Sequence, residues 1–261
     1  MKPKRLLVLG DIHHAWRRAE EILSALRSRY DQAILLGDYF DDFGDTPEMA
    51  AATARWLARS LGRPERIHLL GNHDLPYFFP ENPHLLCPGF TIEKWFAIRS
   101  ELGAAPPQRF QLAHAACGWL FSHAGFAKEF AEGETPESLA ARANALLRRL
   151  DRDRHEPWLA PGFIRGGSQT TGGLTWLDRN GEFEPVPGFH QVVGHTPGMC
   201  VRGRHLDPRG ATVRTEIRKA AVIREVPDSR KGSWQSLNWC LDTRLVHVAL
   251  IEAGRFEIIR P

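Results

Sequence analysis

Short apolar runs and stretches of helical period alternate through the first part of the chain. In residues 5–10, "RLLVLG", an unbroken apolar run follows Arg5, the pattern of a strand covered on both faces. The next stretch, "AWRRAEEILSALRSRY", places Ala19, Ile22, Leu23 and Leu26 at helical spacing. "QAILLG" repeats the strand pattern, "PEMAAATARWLARSLG" predicts a second helix stopping at Gly62, and "RIHLL" a third strand. This βαβαβ order predicts a largely parallel sheet with helices on its faces. Farther on, "RFQLAHAACGWLFSHAG" reads as two strands around a tight Cys117-Gly118 turn, and "PESLAARANALLRRLDR" as a helix. The remainder is rich in strand signals: "HQVVGH", "ATVRTEIRKAAVIREV", "NWCLDT" and "LVHVALIEAGRFEII", the last a hairpin turning at Glu252-Ala253-Gly254. Two packed sheets flanked by helices, a mixed α/β fold, suit this layout.

Composition narrows the class without naming a chemistry. The chain has 261 residues, 43% of them hydrophobic, enough for one large α/β domain. It has no internal repeat and no linker, so a single domain over 1–261 is expected. No stretch reaches the roughly 20 apolar residues of a membrane span. The apolar run at the start ends at Asp11 and reads as the first core strand, not an export signal. Cys87, Cys117, Cys200 and Cys240 are far apart, which predicts reduced thiols and a cytoplasmic protein. The net charge of +3 comes from basic residues interleaved with acids, so neither a membrane nor a nucleic-acid partner is expected.

The polar residues carry the sharper signal. "VLGDIHH" leaves Asp11 and His13 just past the first strand, "LLGDYFDD" leaves Asp38 and Asp41 past the second, and "LLGNHD" leaves Asn72 and His73 past the third. "LFSHAG" and "VVGHTP" leave His123 and His195 past two later strands. The carboxyl ends of parallel strands are where open α/β folds place ligands. A turn or a helix cap explains any one of these residues, but it has little force against five strand ends that repeat the pattern. Carboxylate, imidazole and amide oxygen without thiolate suit a hard to borderline divalent ion such as Mn, Fe or Zn. One carboxylate can bridge two such ions, roughly 3.5–4 Å apart, as in two-metal phosphoryl sites.

These residues, in this order, resemble the calcineurin-like metallophosphoesterase superfamily, densely over 10–125, then at "GHTP" (194–197) and "LDTR" (241–244). The likeness is closer to its phosphoprotein-phosphatase branch, which includes bacterial and phage serine/threonine phosphatases and diadenosine tetraphosphatases. "GDYFD" resembles that branch's second motif, and "GHTP" puts Pro197 where many nucleases and phosphodiesterases have a second histidine. The resemblance implies a four-layer αββα sandwich of two mixed sheets flanked by helices, with 126–189 as a cap or rim. It implies two divalent ions, Mn expected and Fe or Zn possible. Asp11 and His13 would hold the first, Asp38 would bridge, and Asn72, His123 and His195 would hold the second. His73 would protonate the leaving alkoxide, oriented by Asp41.

The implied activity is phosphate-monoester hydrolysis by a hydroxide bridging the metals, on a phosphorylated small molecule, nucleotide or phosphoprotein, with serine/threonine protein phosphatase as one form. Two alternatives stand beside it: a dinucleoside polyphosphate hydrolase or phosphodiesterase at the same site, and an inactive protein-binding scaffold. The scaffold predicts missing ligands, and none is missing. The sequence departs from the branch where its motif carries a phosphate-gripping arginine, since Asp42 and Phe43 stand there. Arg165 in the Gly-rich "FIRGGSQTTGG", Arg179 and His14 are the substitute anion binders to consider, although either arginine also reads as an ordinary surface residue.

Overall fold

The computed structural model describes residues 4–103, 107–150, 154–218, 234–253 and 255–261. Strands β1 (Arg5–Leu9), β2 (Gln32–Leu35) and β3 (Arg66–His68) alternate with helices α1 (Trp16–Ala25) and α2 (Pro47–Ser60). Then come α3 (Leu75–Phe78), α4 (Ile92–Leu102), β4 (Ala113–Ala116), β5 (Trp119–Ser122), α5 (Lys128–Ala131) and α6 (Pro136–Leu147). The chain ends in β6 (His190–Val193), β7 (Val201–Leu206), β8 (Thr212–Ile217), β9 (Asn238–Cys240), β10 (Val248–Glu252) and β11 (Arg255–Ile259).

Two mixed sheets result. The five-stranded sheet has the order β11-β10-β1-β2-β3, with β1, β2 and β3 parallel and β10 antiparallel to β1. The six-stranded sheet has the order β4-β5-β6-β9-β7-β8, with β5, β6 and β9 parallel. Side chains alternate across each strand, and the core divides accordingly. Leu6, Val8, Ile34 and Leu36 face Trp119, Phe121, Val192 and Trp239 between the sheets. Leu7, Leu9, Ala33 and Leu35 join Ile22, Leu23 and Leu57 on the helix side. Trp239 stacks on Phe256 with ring centroids 5.2 Å apart.

The predicted helices start where local chemistry starts them. Thr46 accepts a hydrogen bond from Met49 N–H and precedes Pro47, whose missing N–H costs nothing at a first turn. Thr135 and Ser138 form a reciprocal capping box on α6. The Cys117-Gly118 turn is present, with φ of 54° and 76°, joining the antiparallel β4 and β5. The final hairpin pairs Glu252 with Arg255, while Gly254 lies outside the described residues, as do 219–226 of the predicted strand run and 151–152 of the predicted helix.

Two elements carry no clear periodic signal. In α4 the buried residues are Lys94 and Ile98, so a charge occupies a core-facing position. In β7 the alternation is blurred by Gly203 and by His205, which is buried in place of an apolar residue. Within the stretch 126–189, α6 packs on the core: Leu139, Ala143 and Leu147 are buried, and Asn144 bonds the β4 backbone. Among the described residues no helix is long and apolar enough to cross a membrane.

Candidate metal centre

The parallel strands of both sheets end along one edge, and the chain leaves them through strained positions. His13, Asp38, Asp41 and His195 have φ of 37°, 48°, 62° and 65°, a left-handed region that costs a non-glycine residue about 1 kcal/mol or more. The loops hold one another in that shape. His13 N–H donates to Asp38 O at 2.7 Å, Gly194 N–H to His123 O at 2.7 Å, and Leu241 N–H to Val193 O at 2.7 Å. Glycine is required at two contacts: a Cβ at Gly71 would overlap Asp38 Oδ1, and one at Gly194 would overlap Asp11 Oδ1.

All six predicted ligands meet there. Asp11, His13 and Asp38 bring ligand atoms within 4.8 Å of one another, and so do Asp38, His123 and His195. Asp38 belongs to both groups, its Oδ2 lying 3.7 Å from His13 Nε2 and 3.3 Å from His123 Nε2. Asn72 Oδ1 is 3.0 Å from His123 Nε2. Outer contacts aim these donors. His123 Nδ1 is 3.0 Å from Leu36 O and His13 Nδ1 is 2.5 Å from Asp41 O, so with protons on Nδ1 both rings turn a free Nε2 inward. The His195 N–H donates to both Asp11 oxygens at 3.1 and 3.0 Å, and His73 N–H to Asp38 Oδ1 at 3.0 Å.

Electrostatics favours a cation at this point. Burial, then the neighbouring Asp242, pushes the Asp11 carboxyl up to about 8. Burial opposes a charge on His123, but Asp38 and Asp11 outweigh it and raise the imidazole to about 9. Burial, with His123 and Arg165 nearby, holds His195 well below the ordinary imidazole value, and its buried Nε2 has no hydrogen-bond partner. A cluster of buried carboxylates needs positive charge, and neutral imidazole lone pairs are suitable donors for it. The donor set therefore fits divalent cations.

Beside the cluster, His73 Nδ1 lies 3.2 Å from Asp41 Oδ2. Burial opposes protonation of His73, but Asp38 and Asp41 outweigh it and push the imidazole up to about 12. Asp74 braces the loops, accepting from Tyr39 N–H at 2.8 Å and Gly71 N–H at 2.9 Å.

The three predicted anion binders separate. Arg165 reaches the site's margin: its Nη2 lies 2.9 Å from Asp178 Oδ2 and 3.5 Å from the hydroxyl of Thr196, next to His195. Arg179 is turned inward, 3% exposed, donating to Asn238 O at 2.8 Å and lying over the Phe183 ring. His14 is committed to Asp45 and Thr53, each at 2.9 Å, and does not face the cluster. Asp42 accepts from Phe43 N–H at 2.8 Å and lies 3.4 Å from Arg244. Sequence reasoning missed Asp242, which follows β9 as His195 follows β6; the signal was present in "NWCLD", another apolar run ending in an acid. It also missed Lys94 and Tyr77, which bond Asp41 from more than 30 residues away and carry no local signature.

Residues 4–199 match the family model described as calcineurin-like phosphoesterase. Among solved structures the chain is similar to a metallophosphoesterase from Sphaerobacter thermophilus, at 16% identity and a TM-score of 0.46, covering 99% of this chain and 88% of that one. It is similar to a putative diadenosine tetraphosphatase at 16% identity and a TM-score of 0.43, covering 98% and 93%. It is also similar to a protein serine/threonine phosphatase from Saccharomyces cerevisiae at 13% identity and a TM-score of 0.48, covering 99% and 80%. No curated protein matches the chain.

Proposed function

The chain belongs to the calcineurin-like phosphoesterase family, and from that premise we propose that it hydrolyses phosphate monoesters with two divalent cations. Asp11, His13 and Asp38 would hold one ion, and Asp38, Asn72, His123 and His195 the other; Mn is the expected metal, with Fe or Zn compatible with the same donors. The observation that carries this reading is the sharing of Asp38 between the two ligand groups. Two bound ions would supply an acidified water as nucleophile and a counter-charge for the phosphate oxygens.

The protein's own groups complete the chemistry. His73 donates a proton to the leaving oxygen through Nε2, because Nδ1 faces Asp41 Oδ2 at 3.2 Å. Asp38 and Asp41 raise its proton affinity against the cost of burial. Asp38 accepts the His73 backbone N–H at 3.0 Å, so the loop carrying the shared ligand is tied directly to the loop carrying the acid. Arg165, tethered to Asp178 at the margin, is the group placed to meet a phosphate oxygen.

The test is the metal content and activity of Asp38→Asn. Wild-type protein should carry two ions per chain and hydrolyse p-nitrophenyl phosphate with Mn, and the variant should lose both properties. Retained turnover in the variant would remove the shared-ligand reading. A panel of phosphopeptides, mononucleotides, dinucleoside polyphosphates and a bis-aryl phosphodiester then ranks substrates, and a preference for the diester or the dinucleotide would displace the monoester reading.

A further inference from the structure

Asp41 is held by more than the histidine it faces. Its Oδ2 is 3.2 Å from His73 Nδ1, while Oδ1 accepts from Lys94 Nζ at 2.6 Å and from the Tyr77 hydroxyl at 2.5 Å. Lys94 projects from α4 and is 3% exposed. Its ammonium also donates to Asp45 Oδ1 at 3.1 Å and Oδ2 at 3.0 Å. Asp45 Oδ2 lies 2.9 Å from His14 Nε2, and His14 Nδ1 lies 2.9 Å from the Thr53 hydroxyl on α2. A continuous hydrogen-bonded line thus runs from α2 through His14, Asp45, Lys94 and Asp41 to His73. On the far side of the carboxylate the backbone closes in, since a Cβ at Gly89 would lie 2.9 Å from Asp41 Cγ.

Helix packing alone does not call for this arrangement. A lysine buried between α2 and α4 carries a desolvation cost that a leucine or methionine would avoid while joining the helices as well. What the ammonium does that an apolar side chain cannot is occupy Asp41 Oδ1. An aspartate with one oxygen anchored can neither rotate nor offer that oxygen elsewhere, so Oδ2 is left for the imidazole. A histidine that presents Nδ1 to Oδ2 turns Nε2 to the opposite side of the ring, where a leaving group can take its proton.

We propose that Lys94 is a positioning residue for proton donation: it fixes Asp41, and through Asp41 the ring of His73. The inference rests on the reading of His73 as the proton donor.

The experiment compares phenyl phosphate, whose leaving group needs a proton, with p-nitrophenyl phosphate, whose leaving group needs it less, using Mn-loaded enzyme. General acid catalysis contributes roughly 10²–10⁴-fold, and His73→Asn should lose that much on phenyl phosphate and far less on the nitro ester. Lys94→Met should lose part of it, about 10–100-fold in kcat on phenyl phosphate, with KM and bound Mn unchanged. In a His73→Asn background, Lys94→Met should cost almost nothing more, because it acts through the missing ring. Equal losses on both esters, or a full additional loss in that background, would overturn the proposal. Should Lys94→Met not fold, Tyr77→Phe removes the other donor to the same oxygen and keeps the charges, and it must show the same selectivity at smaller size. If His73→Asn loses equally on both esters, the donor reading fails and this inference with it. If His73→Asn is selective and Lys94→Met is not, only the role of Lys94 falls.

Discussion

Asp11, Asp38 and Asp242 crowd the ends of β1, β2 and β9, and among the described residues no lysine or arginine lies within ion-pair distance of them. A few residues along, buried Asp41 and half-buried Asp45 share Lys94 at 2.6 and 3.0 Å. Both clusters gather carboxylates, and they differ in their counter-charge: an ammonium in one, only imidazoles in the other. One is satisfied by the chain, with its hydrogen bonds closed in a line. The other has a carboxyl raised to about 8 and an imidazole Nε2 with no partner. A folded chain tolerates such an imbalance where something outside it supplies the missing charge. On the proposed reading, the satisfied cluster would position and the unsatisfied one would bind.

The hardest test of that contrast is Asp38→Asn, expected to lower turnover on p-nitrophenyl phosphate by on the order of 10³-fold or more, with bound metal measured alongside. Next is Gly71→Ala, whose methyl would overlap Asp38 Oδ1 and lie 2.7 Å from His123 Cε1. A ligand shift of that size should cost roughly 100-fold in activity while circular dichroism stays native, and a fully active variant would show that the site is looser than its geometry.

Stability should separate the clusters by sign. In chelator at about pH 8, Asp11→Asn should leave the melting temperature unchanged or raise it, because burial and Asp242 disfavour the Asp11 charge more than its neighbours favour it. Lys94→Met strands two carboxylates and should lose about 3 kcal/mol under the same conditions. Adding Mn at a hundred times its dissociation constant should stabilise the wild type by about 2.7 kcal/mol and Asp11→Asn by much less. A destabilised Asp11→Asn in chelator would break the comparison.

The smallest effect comes from a buried polar group in neither cluster. His68 sits between the Tyr39 hydroxyl at 2.9 Å and Ser60 at 3.1 Å, and burial holds its imidazole down to about 3. The unfolded chain takes up this proton near pH 6.5 and the native one does not, so stability falls as pH drops from about 6.5 toward 3. His205, held down to about 3, and His114, down to about 4, act with the same sign. Each contributes at most about 1.4 kcal/mol per pH unit. His68→Gln should flatten the decline in melting temperature between about pH 6.5 and 5, and an unchanged slope would assign the decline to other groups.

Legibility followed the range of the interactions. Strands β1, β2 and β3, helices α1 and α2 and the final hairpin were readable because burial on both faces writes apolar runs, and caps and turns write local polar residues. The six candidate ligands were readable because each follows a strand that was itself readable. Helix α4 was not, since its buried face carries Lys94 and a lysine in "IEKWFAIRSEL" reads as solvent-facing. Arg179 went the other way: written like a surface arginine, it is held inside by the Asn238 carbonyl.

The sequence by itself determined which residue types end which strands, and through them the two-sheet α/β fold and the donor chemistry of the site. That information is local, carried by runs of a few residues with a glycine or a turn beside them. Only the tertiary structure decided that Asp38 lies in reach of both ligand groups, that Asp242 comes close enough to raise the Asp11 carboxyl, that His14 and Arg179 turn elsewhere, and that Lys94 closes on Asp41 from 53 positions away. Those facts depend on how separate elements meet. A charge can be written anywhere along a chain, and the partner that balances it is chosen by packing.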